Sequence, residues 1–119
     1  MYRVVLILLV GVWIAAGARA QDFVPGFEDV PILEGLTVVP DAGHVFDSPA
    51  GRLVESHASG QVTADEVRAF YRETLAALGW HAIRDDTYAR NDEILTIEIQ
   101  GPAADKTITV VFHLSPHRP

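Results

Sequence analysis

The sequence contains no cysteine, and that absence removes several chemistries at once. Without a thiol there is no disulfide, no thiolate nucleophile, no thiolate metal site, no c-type haem attachment and no cysteine-borne lipid anchor. Basic residues are also scarce, with nine Lys and Arg against sixteen Asp and Glu. Such an acidic balance repels phosphate backbones and anionic lipid head groups, so binding to nucleic acid or to a membrane surface is not expected. The sequence has no Gly-rich phosphate loop, no nucleophile elbow and no HExxH zinc motif. Its length of 119 residues leaves room for one globular domain and not for two.

What is present begins with an export pattern. Arg3 precedes an apolar run from Val4 to Ala16, followed by Gly17, Ala18, Arg19 and Ala20. The run falls short of the roughly 20 residues that span a bilayer, and Ala18 and Ala20 form a small-x-small cleavage site. Residues 1–20 therefore read as a signal peptide with cleavage after Ala20, and Gln21 as the first residue of a periplasmic or secreted protein with no membrane anchor after cleavage. Loss of Arg3 and Arg19 leaves seven basic residues against sixteen acidic ones, a formal charge of −9. Solubility of a small secreted domain accounts for that charge.

Residues 21–43 are dense in Pro25, Gly26, Pro31, Gly35, Pro40 and Gly43, which favour irregular structure. Phe23, Phe27, Val30, Ile32, Leu33 and Leu36 make the same stretch too apolar for a solvated linker. It reads as an extended arm that packs either on its own sheet or on a partner. The single domain then covers 44–115, with a short tail at 116–119.

Within that domain, Val45 and Phe46 lead into the turn residues Asp47 to Gly51, and the return strand runs from Arg52 to about Ser59. Its small residues Val54, Ser56 and Ala58 point to a face lying under a helix. Thr63 as N-cap and Glu66 three residues on form a capping box, with Val62 placed to staple onto Val67. Val67, Phe70, Tyr71, Thr74, Leu75 and Leu78 then repeat at helical spacing, and Gly79 ends the helix. Strands are expected at Trp80 to Arg84, Ile94 to Gln100 and Thr107 to Leu114, with a polar turn from Asp85 to Glu93 in which Thr87 to Ala89 extends a hairpin arm. The fold class is α+β, a mostly antiparallel sheet of four to five strands with one α-helix packed on one face. The order is β-β-α-β-β-β, behind an irregular N-terminal arm.

Gly51 to Glu55, Phe70 to Leu75, and Leu78, Gly79 and Trp80 together resemble a family of small exported proteobacterial proteins whose function is not assigned. The similarity spans nearly all of the mature chain, and its strongest mark is Phe70-Tyr71, then Leu75, then Leu78-Gly79-Trp80. The resemblance implies a fold and an envelope location, and it brings no catalytic residue.

Candidate sites are few. His57 and His113 alternate onto the sheet face turned away from the helix, near Glu55 and Glu98, and are the weak candidates for a transition-metal pair if their strands are neighbours in register. His44, His81 and His117 have no such partner pattern, and Pro116 separates His113 from His117. Asp85, Asp86, Asn91, Asp92 and Glu93 lack the ligand spacing and central glycine of a calcium loop and read as a charged turn. Arg68 and Arg72, beside Glu73 on the exposed helix side, are a candidate contact patch for an acidic partner. Phe70, Tyr71 and Trp80 read as core, the last two near the edge so that their polar atoms reach water or a backbone carbonyl. With no catalytic constellation and no cofactor expected, the leading expectation is a non-catalytic protein-binding module of the cell envelope. A small hydrophobic-ligand or lipid carrier comes second and an enzyme third.

Overall fold

The helix forms where local signals are strongest. In the computed structural model, which describes Gly11 and residues 22–117, α1 runs Ala64–Ala77. The Thr63 hydroxyl accepts the Glu66 N–H at 3.1 Å, satisfying one of the orphan donors of the first turn. At the other end Gly79 takes φ +88°, Gly79 N–H donates to the Ala76 carbonyl and Trp80 N–H to the Leu75 carbonyl. That pair of bonds is a Schellman termination, which needs a left-handed residue at Gly79. An added Cβ there would meet nothing closer than Arg90 Cδ at 3.8 Å, so the cost of Gly79→Ala is conformational alone. Denaturant unfolding of that variant is expected to show a loss of about 1 kcal/mol.

Seven strands form one antiparallel sheet rather than the four or five expected: β1 Thr37–Val38, β2 His44–Ser48, β3 Gly51–Gly60, β4 His81–Arg84, β5 Thr87–Arg90, β6 Glu93–Gln100 and β7 Ile108–Pro116. In chain order this is β-β-β-α-β-β-β-β. The two additions are short. β1 sits at the end of the Pro- and Gly-rich arm. β5 lies inside the stretch read as a polar turn, because Asn91 (φ 47°) and Asp92 (φ 61°) make a two-residue hairpin connection with the left-handed pair such turns require.

The strands lie in the order β1-β3-β7-β6-β5-β4, and β2 also pairs β3. β7 takes one edge of β3 over Val54 to Gly60. β2 and β1 therefore share the other edge end to end, β2 against Gly51 to Glu55 and β1 against Ala58 and Ser59. The last strand in the chain is thus flanked on both sides, by β3 and β6.

Alternation along the strands sends one set of side chains toward the helix. Val54, Ser56 and Ala58 of β3, Val110, Phe112 and Leu114 of β7, and Leu95 and Ile97 of β6 are buried there, with Val67, Tyr71 and Leu75 of α1. Phe112, fully buried, meets the rings of Tyr71 at 5.2 Å and Phe27 at 6.4 Å in edge-on contacts.

The arm packs on its own sheet. Val24 N–H donates to the Val30 carbonyl, Ile32 N–H to the Asp22 carbonyl, and Phe23 bridges to Pro31, closing a loop that turns Val24, Phe27 and Val30 inward. With Ile32 and Leu36, these residues belong to the same core cluster as the sheet and helix. Tyr71, 1% exposed, ties the arm to α1: its hydroxyl donates to the Pro31 carbonyl at 2.9 Å and accepts the Leu33 N–H at 3.2 Å. Burial pushes the phenol up to about 12.

Candidate docking surface

The sheet face turned away from α1 carries the ionisable groups of the two central strands. Cross-strand register sets His44 of β2 opposite Glu55 of β3, Glu55 opposite His113 of β7, and His113 opposite Thr96 of β6. The neighbouring row sets His57 opposite Val111 and Val111 opposite Glu98. His57 and His113 therefore stand on neighbouring strands and on one face, but two residues out of register, so they are diagonal neighbours. Each is engaged with a carboxylate instead: His57 Nε2 lies 2.8 Å from Glu55 Oε1, and His113 Nε2 lies 3.2 Å from Glu98 Oε2. No group of three or more metal-ligating side chains converges among the described residues.

These pairs shape the electrostatics of the face. The hydrogen bond from His57 holds the Glu55 carboxyl below the usual glutamate range, and the charges of His113, His57 and His44 act the same way. Glu98 is held down by its hydrogen bond with Gln100 first and with His113 second. Val111, between His57 and Glu98, is only 2% exposed although it belongs to this face. The centre of the face is thus covered by its own polar side chains.

Apolar exposure collects toward one margin. Val45 and Phe46 of β2 are 64% and 63% exposed, and Leu53 opposite Phe46 is 43% exposed. Phe46 and Leu53 share the open face with Glu55, and His44, Phe46, Leu53, Glu55, His113 and Ser115 line a cleft of about 320 Å³. Val45 turns to the other face, beside Val54 and Asp47 in the strand pattern. β2 pairs with β3 alone, so its outer backbone edge has no strand neighbour among the described residues.

The other candidates fall elsewhere. Arg68 Nε is 3.2 Å from Asp86 Oδ2, so that arginine is paired within the chain, and Arg72 lines the same cleft with Arg84 and Tyr88. The acidic residues of 85–93 do not form one cluster, because β5 separates the Asp85–Asp86 turn from Asn91–Asp92. Trp80 departs from the expectation of an edge position. It is 3% exposed, its indole Nε1 has no hydrogen-bond partner among the described residues, and the Arg90 guanidinium lies 4.4 Å above its ring. Arg90 also donates to both Asp29 oxygens, at 2.8 and 3.2 Å, and to the Leu78 carbonyl at 2.9 Å. It joins the arm, the helix end and Trp80, and its hydrogen bond holds the Asp29 carboxyl below its usual range. Ala18, Ala20 and Gln21 lie outside the described residues. No helix among the described residues is long and apolar enough to cross a membrane.

The sequence brought His57, His113, Glu55 and Glu98 together by alternation alone. It missed the exposed pair Val45 and Phe46, because whether a strand is central or marginal is a property of the whole sheet. Compared with known protein families, curated proteins and solved structures, the chain shows no match to any of them.

Proposed function

We propose that this chain is a non-catalytic binding module of the bacterial cell envelope, which docks an extended segment of another envelope protein along β2. The observation that carries the reading is the combination of an unpaired backbone edge with Val45 and Phe46 exposed on its two faces. An added strand makes main-chain hydrogen bonds to such an edge, while the alternate side chains select the partner. Natural sheets usually protect a free edge with charge, proline or a bulge, and β2 has only Asp47 toward its turn end. The export pattern of residues 1–20 and the family resemblance support the envelope location.

Lysines at both apolar positions test this. The double variant Val45→Lys, Phe46→Lys removes no core side chain, so its melting temperature is expected to stay within a few degrees of the parent. Crosslinking of the mature protein in intact cells is expected to trap a reproducible partner for the parent and to lose it for the variant. Undiminished crosslinking to the same partner in the variant would remove β2 as the docking edge.

A further inference from the structure

Resting on that reading of β2, we infer that docking is gated by protons: the partner strand carries basic side chains toward the open face, binds near neutral pH and is released in mild acid. The ionisable groups on this face are His44 from β2, Glu55 and His57 from β3, His113 from β7 and Glu98 from β6, with His81 of β4 at the far margin. None of the lysines or arginines of the chain stands on this face of β2, β3, β6 or β7. Arg52, the one arginine in those strands, turns to the opposite side, where it pairs with Glu93 and donates to the Gly26 carbonyl.

With neutral imidazoles the face beside β2 presents the Glu55 carboxylate and no fixed positive charge, with Glu98 of β6 three strands away adding to the same field, which complements a basic strand and opposes an acidic one. Histidine is the side chain that charges between about pH 5 and 8. Once it does, the imidazolium of His57, 2.8 Å from Glu55, keeps an incoming ammonium off that carboxylate, while that of His113, 3.2 Å from Glu98, neutralises the more distant one. His44, directly opposite Glu55 and nearest the docking edge, adds a like charge to the one the partner brings. The net sign of the face inverts, so acid both removes the attraction and installs repulsion.

Acid unfolding is a separate event. Glu55 and Glu98 have folded values below their ordinary 4.5, so the stability they contribute is full above that pH and is lost only as pH falls through the lower folded values. Loss of these pairs therefore lies below 4.5, in more acid conditions than the pH 5.5 at which release is tested.

The probe is a synthetic strand peptide of alternating lysine and valine, with a glutamate and valine peptide as its counterpart. Binding to the full mature protein is followed by fluorescence anisotropy at pH 7.5 and 5.5, and the site by amide chemical shifts. The lysine peptide is expected to bind at pH 7.5 with shifts centred on residues 44–48, and about tenfold or more weakly at pH 5.5, since a tenfold change needs only about 1.4 kcal/mol from several rim charges. The glutamate peptide is expected to show the opposite preference. His44→Gln, His57→Gln, His113→Gln together should keep binding at pH 7.5 and abolish its pH dependence, whereas Glu55→Gln, Glu98→Gln should weaken it at pH 7.5. Circular dichroism melts at both pH values confirm that each variant is folded. Binding at β2 that is equal at the two pH values overturns the gate and leaves the docking edge standing. Peptide shifts away from β2, or self-association through β2 in sedimentation, overturn the docking edge itself. Failure of the lysine peptide to bind at pH 7.5 overturns the basic partner.

Discussion

A chain beginning at residue 44, without the arm, is expected to remain unfolded. The arm contributes Val24, Phe27, Val30, Ile32 and Leu36 to the core, none of them more than 8% exposed. Burying a side chain of this size is worth about 1.5–3 kcal/mol, so together they stabilise the fold on the order of 10 kcal/mol. The net stability of a whole domain is about 5–15 kcal/mol, and the loss is of that same size. Removal of the arm also takes away Phe27 from the edge of Phe112 and both partners of the Tyr71 hydroxyl. The truncated chain should give a coil-like far-ultraviolet spectrum and no cooperative transition in urea. A cooperative transition near the midpoint of the chain that keeps the arm would show that the sheet and helix stand without it.

Tyr71 concentrates the same dependence in one side chain. Tyr71→Phe keeps the ring against Phe70 at 4.9 Å and Phe112 at 5.2 Å, but leaves the Pro31 carbonyl and the Leu33 N–H without their partner. Stranding buried polar groups costs about 1–3 kcal/mol, so a loss of about 2 kcal/mol is expected. Tyr71→Ala removes the ring as well and should cost about 4 kcal/mol or more. Urea midpoints at constant slope measure both. A difference below about 0.5 kcal/mol for the phenylalanine variant would mean that the hydroxyl bridge is replaceable by water.

The phenol adds a pH signature with a definite sign. Its folded value of about 12 lies above the ordinary 10.0, so the neutral form is favoured in the native state. Its contribution is complete below pH 10.0 and is lost as pH rises from there toward 12. The parent should weaken over that window more steeply than Tyr71→Phe, which has no phenol to ionise.

The parts of this architecture visible in the sequence are those set by near neighbours. Thr63, Glu66 and Gly79 signal the helix ends because capping is decided within four residues. Ile94 to Gln100 and Thr107 to Leu114 signal strands because seven or eight residues give several alternations. β5 spans Thr87–Arg90 between two polar turns, and four residues give too few alternations to separate a strand from a turn. β1, with two residues, gives none. The arm was legible as too apolar for a linker, but its destination was not, since the Tyr71 bond to Pro31 joins residues forty apart in sequence. The open face shows the same division. Alternation placed His57 and His113 together, whereas their diagonal register, and the marginal position of Val45 and Phe46, depend on which strands become neighbours.

The order of strands has a consequence for when this protein can fold. β7 is the last strand of the chain and the one flanked by both β3 and β6. Until residues 108–116 are made, the hairpin of β2 and β3 has no strand pairing with the β4–β6 meander, their one side-chain link being Arg52 to Glu93, and Phe112 is missing from the point where arm, helix and sheet meet. All that precedes β7 is two sets of strands not yet paired into one sheet, with an incomplete core. A polypeptide built this way gains its full core only late, because the strand that joins the two halves is the last one made. Arrival of β7 then works as a clasp, closing arm, helix and both halves of the sheet in one step.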